Sequence, residues 1–175
     1  MRLFTAISLP NEFIDDFKNI TLNSKIRGDL NWTKPENLHI TTCFIGETEK
    51  GSMKDVIDKV STISKGAPVF RLEFRNIQLA PPKKKPYMIW ANYNTNEIYT
   101  NLCDQLHEEL LTLSKRNHYP HVTLARFKGF VRFNSYEIQN TFPAVEVAKI
   151  GLWKSELTKT GPAYEKLEEF SLGSL

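Results

Sequence analysis

The sequence predicts an α+β protein with two pseudo-equivalent lobes around a central cleft, and three observations carry that prediction. Amphipathic helical stretches alternate with short strand-like runs whose connections favour mostly antiparallel pairing. A His-x-Thr triplet inside a short apolar run occurs twice, in Leu38-His39-Ile40-Thr41-Thr42-Cys43-Phe44 and in Pro120-His121-Val122-Thr123-Leu124-Ala125-Arg126. The copies stand 82 residues apart (121 − 39), about half of the 175-residue chain, so the order strand, helix, His strand is used twice. The expected architecture is a bilobal, pseudo-two-fold repeat of mostly antiparallel sheets with outer helices. It occupies a single domain, 1–175, whose intertwined lobes each supply one His-x-Thr motif.

Residues 2–9 alternate as a first strand that Pro10 stops, and Asn11 then caps a helix with Phe13, Ile14, Phe17 and Ile20 at helical spacing. A short extended piece around Asp29 to Trp32 and a turn over Thr33 to Asn37 lead into the first His strand. After Gly46 a second helix runs from about Ser52 to Ser64, with Met53, Val56, Ile57, Val60 and Ile63 on one stripe. Phe70 to Phe74 alternates as a strand that Ile77 to Ala80 extends, and Pro81-Pro82-Lys83-Lys84-Lys85-Pro86 reads as an exposed basic loop. Tyr87 to Ala91 is another strand, and residues 96–114 make the longest helix, with Ile98, Leu102, Leu106, Leu110 and Leu113 inward. The polar Lys115 to His118 loop precedes the second His strand. Val145 to Leu157 and Tyr164 to Leu172 close the chain as a hairpin whose turn, Thr158 to Pro162, carries the expected Gly and Pro.

Composition narrows the function classes. A net charge of +3 and a pI near 8.8 permit a phosphorylated partner without demanding one. The alternating first residues, Met1 to Leu9, are too short and interrupted for a signal segment or a membrane span, so the expectation is a cytoplasmic protein with no membrane partner. The two cysteines, Cys43 and Cys103, are expected as reduced, buried thiols. No Cys/His cluster has zinc spacing, so a metal site of that kind is not expected, and the expectation for cofactors is none.

Strand alternation places His39 with Thr41, and His121 with Thr123, on a common face. If the two strands lie side by side in one sheet, two imidazoles and two hydroxyls converge on one concavity. Such a pair can divide general acid and general base work, because an ordinary His titrates near pH 6.5 and each can hold the opposite protonation state. In-line displacement at phosphorus needs that division. The hydroxyls suit non-bridging phosphate oxygens, and Arg126 suits a bidentate phosphate contact.

With these stretches in hand the chain resembles the 2H phosphoesterase superfamily, and within it the RNA 2′,3′-cyclic phosphodiesterases once called 2′-5′ RNA ligases. The matching stretches are Arg2 to Ile7, Leu38-His39-Ile40-Thr41, Phe44 to Glu47, Tyr87 to Ala91, Pro120 to Arg126 and the Gly161-Pro162-Ala163-Tyr164 turn, so the likeness covers nearly the whole chain. The resemblance implies a bilobal fold with its site between the lobes and metal-independent cleavage of a 2′,3′-cyclic phosphate to a 2′-phosphate. By position it makes His39 the proton donor to the departing 3′ oxygen and His121 the acceptor that activates water. It makes Thr41 and Thr123 the phosphate-binding threonines, Phe44 the base-stacking aromatic and Arg126 the phosphate-contacting arginine. The implied partner is RNA with a 2′,3′-cyclic phosphate end, or a cyclic nucleotide, met by a monomer. Thr42 stands where the family more often has an aliphatic residue, and alternation points it away from the cleft. The same alternation sends Phe44 and Arg126 to the face opposite the histidines, so their implied roles require a bulge, a twist or a strand end.

Blander readings attach to the remaining polar and aromatic residues. His118 reads as a loop residue and His107 as one of the charged residues of its helix, near Glu108. Lys83 to Lys85 reads as a solvated loop, Trp32, Tyr87 and Trp90 as core or lobe packing, and Cys43 as packing rather than a nucleophile. Two rivals to the cyclic phosphodiesterase stay open from sequence. One is a 2′-5′-oligonucleotide phosphodiesterase or ligase using the same histidines, the other an RNA-binding module that keeps the fold without turnover.

Overall fold

The structure, a computed structural model, describes residues 1–23, 28–82, 85–110, 112, 118–129, 131, 141–158 and 161–173. In chain order these form β1 (Arg2–Ser8), α1 (Asn11–Asn23), β2 (Leu30–Trp32), β3 (His39–Glu47), α2 (Met53–Gly66), β4 (Phe70–Leu72), β5 (Phe74–Ala80) and β6 (Met88–Tyr93). Then follow α3 (Glu97–Glu109), β7 (His121–Phe127), β8 (Val145–Val147), β9 (Lys149–Thr158) and β10 (Gly161–Ser171). The result is the mostly antiparallel α+β fold that the alternating patterns predict.

Seven strands run across the main sheet in the order β10-β9-β1-β3-β7-β6-β5, and β2 adds to β7 off that path. The two His strands are neighbours, but they share one register pair, Ile40 opposite Val122. Past that pair β7 leaves β3 and continues against β2, with Trp32 opposite Ala125 and Leu30 opposite Phe127. Two half-sheets, β10-β9-β1-β3 and β7-β6-β5, therefore meet at one point, and the cleft opens where their histidine faces adjoin.

The halves repeat each other locally. β1 pairs antiparallel with β3, putting Ser8 opposite His39 and Ala6 opposite Thr41. β6 pairs antiparallel with β7, putting Asn92 opposite His121 and Trp90 opposite Thr123. Behind both halves the helices bury their apolar stripes in one contiguous core, from Phe13 and Phe17 of α1 through Val60 of α2 to Tyr99 and Leu102 of α3. Each such side chain adds roughly 1.5–3 kcal/mol of burial, which fixes the sheet register that aims the opposite face at the cleft.

Several boundaries differ from the sequence reading for identifiable reasons. The stretch from Phe70 is two strands rather than one extended strand, because β4 leaves the main sheet to pair with β8 while β5 pairs with β6. Val145 to Leu157 divides likewise into β8 and β9. Asn11 is the first residue of α1 rather than a residue ahead of it. The third helix is capped by Asn96, whose Oδ1 accepts from the Tyr99 backbone N–H at 2.8 Å, and it ends at Glu109. Its 13 residues make it shorter than α2, with 14. Leu111, Leu113 and Ser114 of the expected third helix, the Lys115 to Asn117 part of the polar loop, Lys159 and Thr160 of the expected hairpin turn, Lys83 and Lys84 lie outside the described residues, while Lys85 is exposed. Among the described residues no helix is long and apolar enough to cross a membrane.

Candidate active site

One cleft of about 820 Å³ is lined by His39, Thr41 and Phe44 from β3 and by His121, Thr123 and Arg126 from β7. All six side chains singled out from sequence are thus brought to one cavity. Two β-bulges make this so. In the β1–β3 ladder Thr5 faces Cys43 and Ala6 faces Thr41, leaving Thr42 as an extra residue. In the β6–β7 ladder Ile89 faces Ala125 and Trp90 faces Thr123, leaving Leu124 as an extra residue. Both bulges stand three residues after the histidine. An inserted residue reverses the alternation beyond it, so the fifth position after each His returns to the cleft side. Phe44 is accordingly half exposed on the cleft rim, although simple alternation sends it and Arg126 away.

Side chains from other elements hold each bulge. The Thr42 hydroxyl, buried and bonded to the Thr5 hydroxyl at 2.7 Å, fixes the bulge in β3, and the Tyr99 hydroxyl donates to the Thr41 carbonyl at 3.2 Å. Thr42 thus lies beneath the cleft, contributing part of its wall, instead of simply pointing away. In β7 the carbonyls at the bulge are met by Thr33, whose hydroxyl donates to the Thr123 carbonyl at 2.7 Å and whose N–H donates to the Leu124 carbonyl at 2.9 Å.

The two imidazoles are held in the same way. His39 Nδ1 lies 2.7 Å from the Asn37 carbonyl and His121 Nδ1 lies 2.8 Å from the Tyr119 carbonyl, in each case two residues upstream. A carbonyl only accepts, so both rings carry their proton on Nδ1 and leave Nε2 unprotonated in the neutral form. His39 Nε2 stands 3.1 Å from the Thr41 hydroxyl. Burial, with the nearby His121 and Arg126 charges adding to it, pulls His39 down to about 4 against the opposing bond to Asn37. Burial, aided by Arg126, also lowers His121 below its ordinary value, against the bond to Tyr119. In the free protein both imidazoles are therefore neutral at pH 7.

Aromatic rings surround the histidines unequally. Around His39 stand Phe4, with ring centroids 5.0 Å apart, Tyr164, edge-on at 5.2 Å, and Trp153 at 6.1 Å. Against His121 lies Trp90, at 3.8 Å and 23° from parallel. Tyr164 reaches the cleft because Asn37 Nδ2 donates to the Pro162 carbonyl at 3.0 Å, tying the β9–β10 hairpin to the turn that orients His39. The Gly161 φ of +118°, which L side chains rarely adopt, starts that strand.

Sequence reasoning missed several of these neighbours. Tyr87 is half exposed on the cleft rim and Trp90 forms a cleft wall, rather than both packing the lobes. His107 faces the cleft, with Nδ1 3.6 Å from Cys43 Sγ and a hydrogen bond to the Thr112 hydroxyl, and it stacks on His118. On a helix the neighbours of His107 are Cys103 and Leu110, not Glu108, and that apolar spacing was the available signal. His118 in turn pairs with Asp104 at 2.8 Å. Cys43 and Cys103 are free and buried, and burial pushes both thiols up to about 12, which suits packing. Trp32 packs edge-on against Phe17 and also reaches the cleft. Among the described residues no group of three or more His, Cys, Asp or Glu is placed to hold a metal ion.

Comparison with known proteins gives this geometry a family. The family described as LigT like Phosphoesterase matches residues 8–90. An Aquifex aeolicus protein named RNA 2′,3′-cyclic phosphodiesterase is 31% identical over 182 residues, covering 97% of this chain and 94% of its own. A Methanocaldococcus jannaschii protein of the same name is 30% identical, covering 97% of this chain and 100% of its own. A crystal structure of a Thermus thermophilus protein superposes with a TM-score of 0.80 at 26% identity, covering 99% of both chains. With relatives at this identity along nearly its whole length, the chain belongs to the LigT-like phosphoesterases, the 2H phosphoesterase family, and is an enzyme of that class.

Proposed function

We propose that this enzyme hydrolyses RNA ends bearing a 2′,3′-cyclic phosphate to a 2′-phosphate, by general acid and base catalysis shared between His39 and His121. The observation that carries this reading is the matched pair of imidazoles in one cleft, each with Nδ1 bonded to a carbonyl two residues upstream and Nε2 left to act. The substrate class comes from the relatives, which bear that activity in their names.

His121 Nε2 takes a proton from water as the water oxygen attacks phosphorus. The bond from phosphorus to the 3′ oxygen breaks, and His39, protonated on Nε2, gives its proton to that oxygen. One proton is taken and one returned, so the pair ends with its protons exchanged. Thr41, Thr123 and Arg126 hold the non-bridging oxygens, whose negative charge grows in the transition state. Phe44 offers an exposed ring for the terminal base. His39 is neutral in the free protein, and the anionic phosphate is what charges it, because an opposite charge nearby favours the imidazolium.

The test is a substrate comparison. A short RNA ending in a 2′,3′-cyclic phosphate should be turned over to a 2′-phosphate well ahead of a 2′-5′-linked dinucleotide, the two followed by chromatography of the products. Preference for the 2′-5′-linked compound would replace this reading with that of a 2′-5′ phosphodiesterase, and tight RNA binding without turnover of either would replace it with a binding module.

A further inference from the structure

Two indoles flank the paired histidines, and they are not equivalent. Trp90 Nε1 and Trp153 Nε1 are, among the described residues, the two buried side-chain nitrogens without a hydrogen-bond partner. An unpartnered buried N–H is unfavourable, so an indole kept in such a place is there for its ring. The Trp153 ring stands 6.1 Å from His39, whereas the Trp90 ring lies against His121 at 3.8 Å and nearly parallel. The pairing of the half-sheets sharpens the contrast. The position opposite Thr123 is Trp90, and the position opposite Thr41 is Ala6. A stacked indole therefore occupies this position on the His121 side alone.

We propose that Trp90 is the positioning residue that makes His121 the base of the pair, its ring face stabilising the imidazolium that forms when His121 accepts a proton. This rests on the division of roles given above, yet its physical content is a property of the free protein. The negative face of an indole attracts a cation stacked upon it. The other groups acting on His121 are fixed in any Trp90 variant. Arg126, on the same strand, disfavours a second positive charge, the Tyr119 carbonyl that accepts from Nδ1 favours it, and His39 stands across the cleft. Arg2, Lys34, His107 and His118 also line the cavity. β6 itself sets only neutral residues, Trp90, Ala91 and Asn92, opposite β7 over this stretch. Trp90 is thus, among the described residues, the one ring in stacked contact with His121 that favours its charged form.

The ring has two separable effects of opposite sign on His121. As a wall that excludes water it disfavours the imidazolium, and as a π-face it favours it. Imidazole NMR titration of His121 in the free protein distinguishes them, with Trp90→Leu and Trp90→Phe beside the native protein and thermal melts to verify folding. The proposal expects the titration midpoint to fall by about 0.5–1 pH unit in Trp90→Leu and to stay near native in Trp90→Phe, which keeps a ring face. It also expects kcat on a cyclic-phosphate RNA to drop several-fold in Trp90→Leu with KM little changed. A midpoint that rises or stays put in Trp90→Leu would overturn the proposal, since Trp90 would then be only a wall or only packing. Should Trp90→Leu fail to fold, the midpoint in Trp90→Phe decides, a rise of half a unit or more counting against the π-face. Because the midpoint is read without substrate, a failed substrate assignment leaves this result standing.

Discussion

His39 and His121 share one backbone device, an Nδ1–H donated to the carbonyl two residues upstream, yet the rings packed around them differ. Burial lowers both below the ordinary value of 6.5, His39 to about 4. The sign of the pH dependence follows. Under the proposed division of roles the free enzyme reacts with His39 protonated and His121 neutral, so both limbs of kcat/KM come from groups titrating below 6.5. The kcat/KM optimum should therefore fall on the acid side of pH 6.5. Bound phosphate raises both groups, and the kcat optimum should lie at higher pH than that of kcat/KM. Steady-state profiles between about pH 4 and 9 measure both, and coincident optima above about pH 7 would contradict the electrostatics described here. These two residues were legible in the sequence because a repeated His-x-Thr in apolar strands is rare and strand alternation is dependable. Trp90 was not, since an aromatic in a strand signals core until its partner strand is known.

At the scale of elements, the bulges after Thr41 and Thr123 convert an alternation rule into a cleft. The Thr42 hydroxyl and the Thr5 hydroxyl satisfy each other in the core behind the first of them. Thr42→Val leaves the Thr5 hydroxyl buried and unpaired, and should lower stability by about 1–3 kcal/mol in urea unfolding. Thr5→Val with Thr42→Val removes both partners and should recover most of that loss. A double variant no more stable than the single would show that the pair does not anchor the bulge. Helices and strands were largely readable from period 3.6 and period 2, as in α2, where Val56, Val60 and Ile63 bury as one stripe. The bulges were invisible for a physical reason. Nothing in Thr42 or Leu124 departs from strand chemistry, and the extra residue exists only relative to the register of β1 or β6. The separation of β4 from β5 was hidden in the same way, because its cause is pairing with β8, far downstream and in a different sheet.

For the whole molecule, the decisive feature is that two half-sheets join through one pair, Ile40 with Val122. Each half brings a His, a Thr and a residue five places after the His, so neither half holds a complete site. The bilobal arrangement was legible from the repeat of motifs, while the adjacency of β3 and β7 was not, because strand order depends on contacts distant in sequence. The hairpin of β9 and β10 shows the same limit. Its two strands were readable, but Gly161 and Pro162 belong to β10 rather than to the turn, and the bond from Asn37 to the Pro162 carbonyl, which brings Tyr164 beside His39, was not visible.

The central claim is that one histidine from each half acts on the same phosphate, and its most direct test is turnover of a short RNA ending in a 2′,3′-cyclic phosphate. The native enzyme is assayed in EDTA beside His39→Ala, His121→Ala and the double variant, and the product phosphate is assigned to the 2′ or 3′ oxygen. The native enzyme should give the 2′-phosphate, each single variant should lose about 10²–10⁴-fold in kcat while still folding, and the double variant should be little slower than the slower single. Either single variant turning over at the native rate would contradict it.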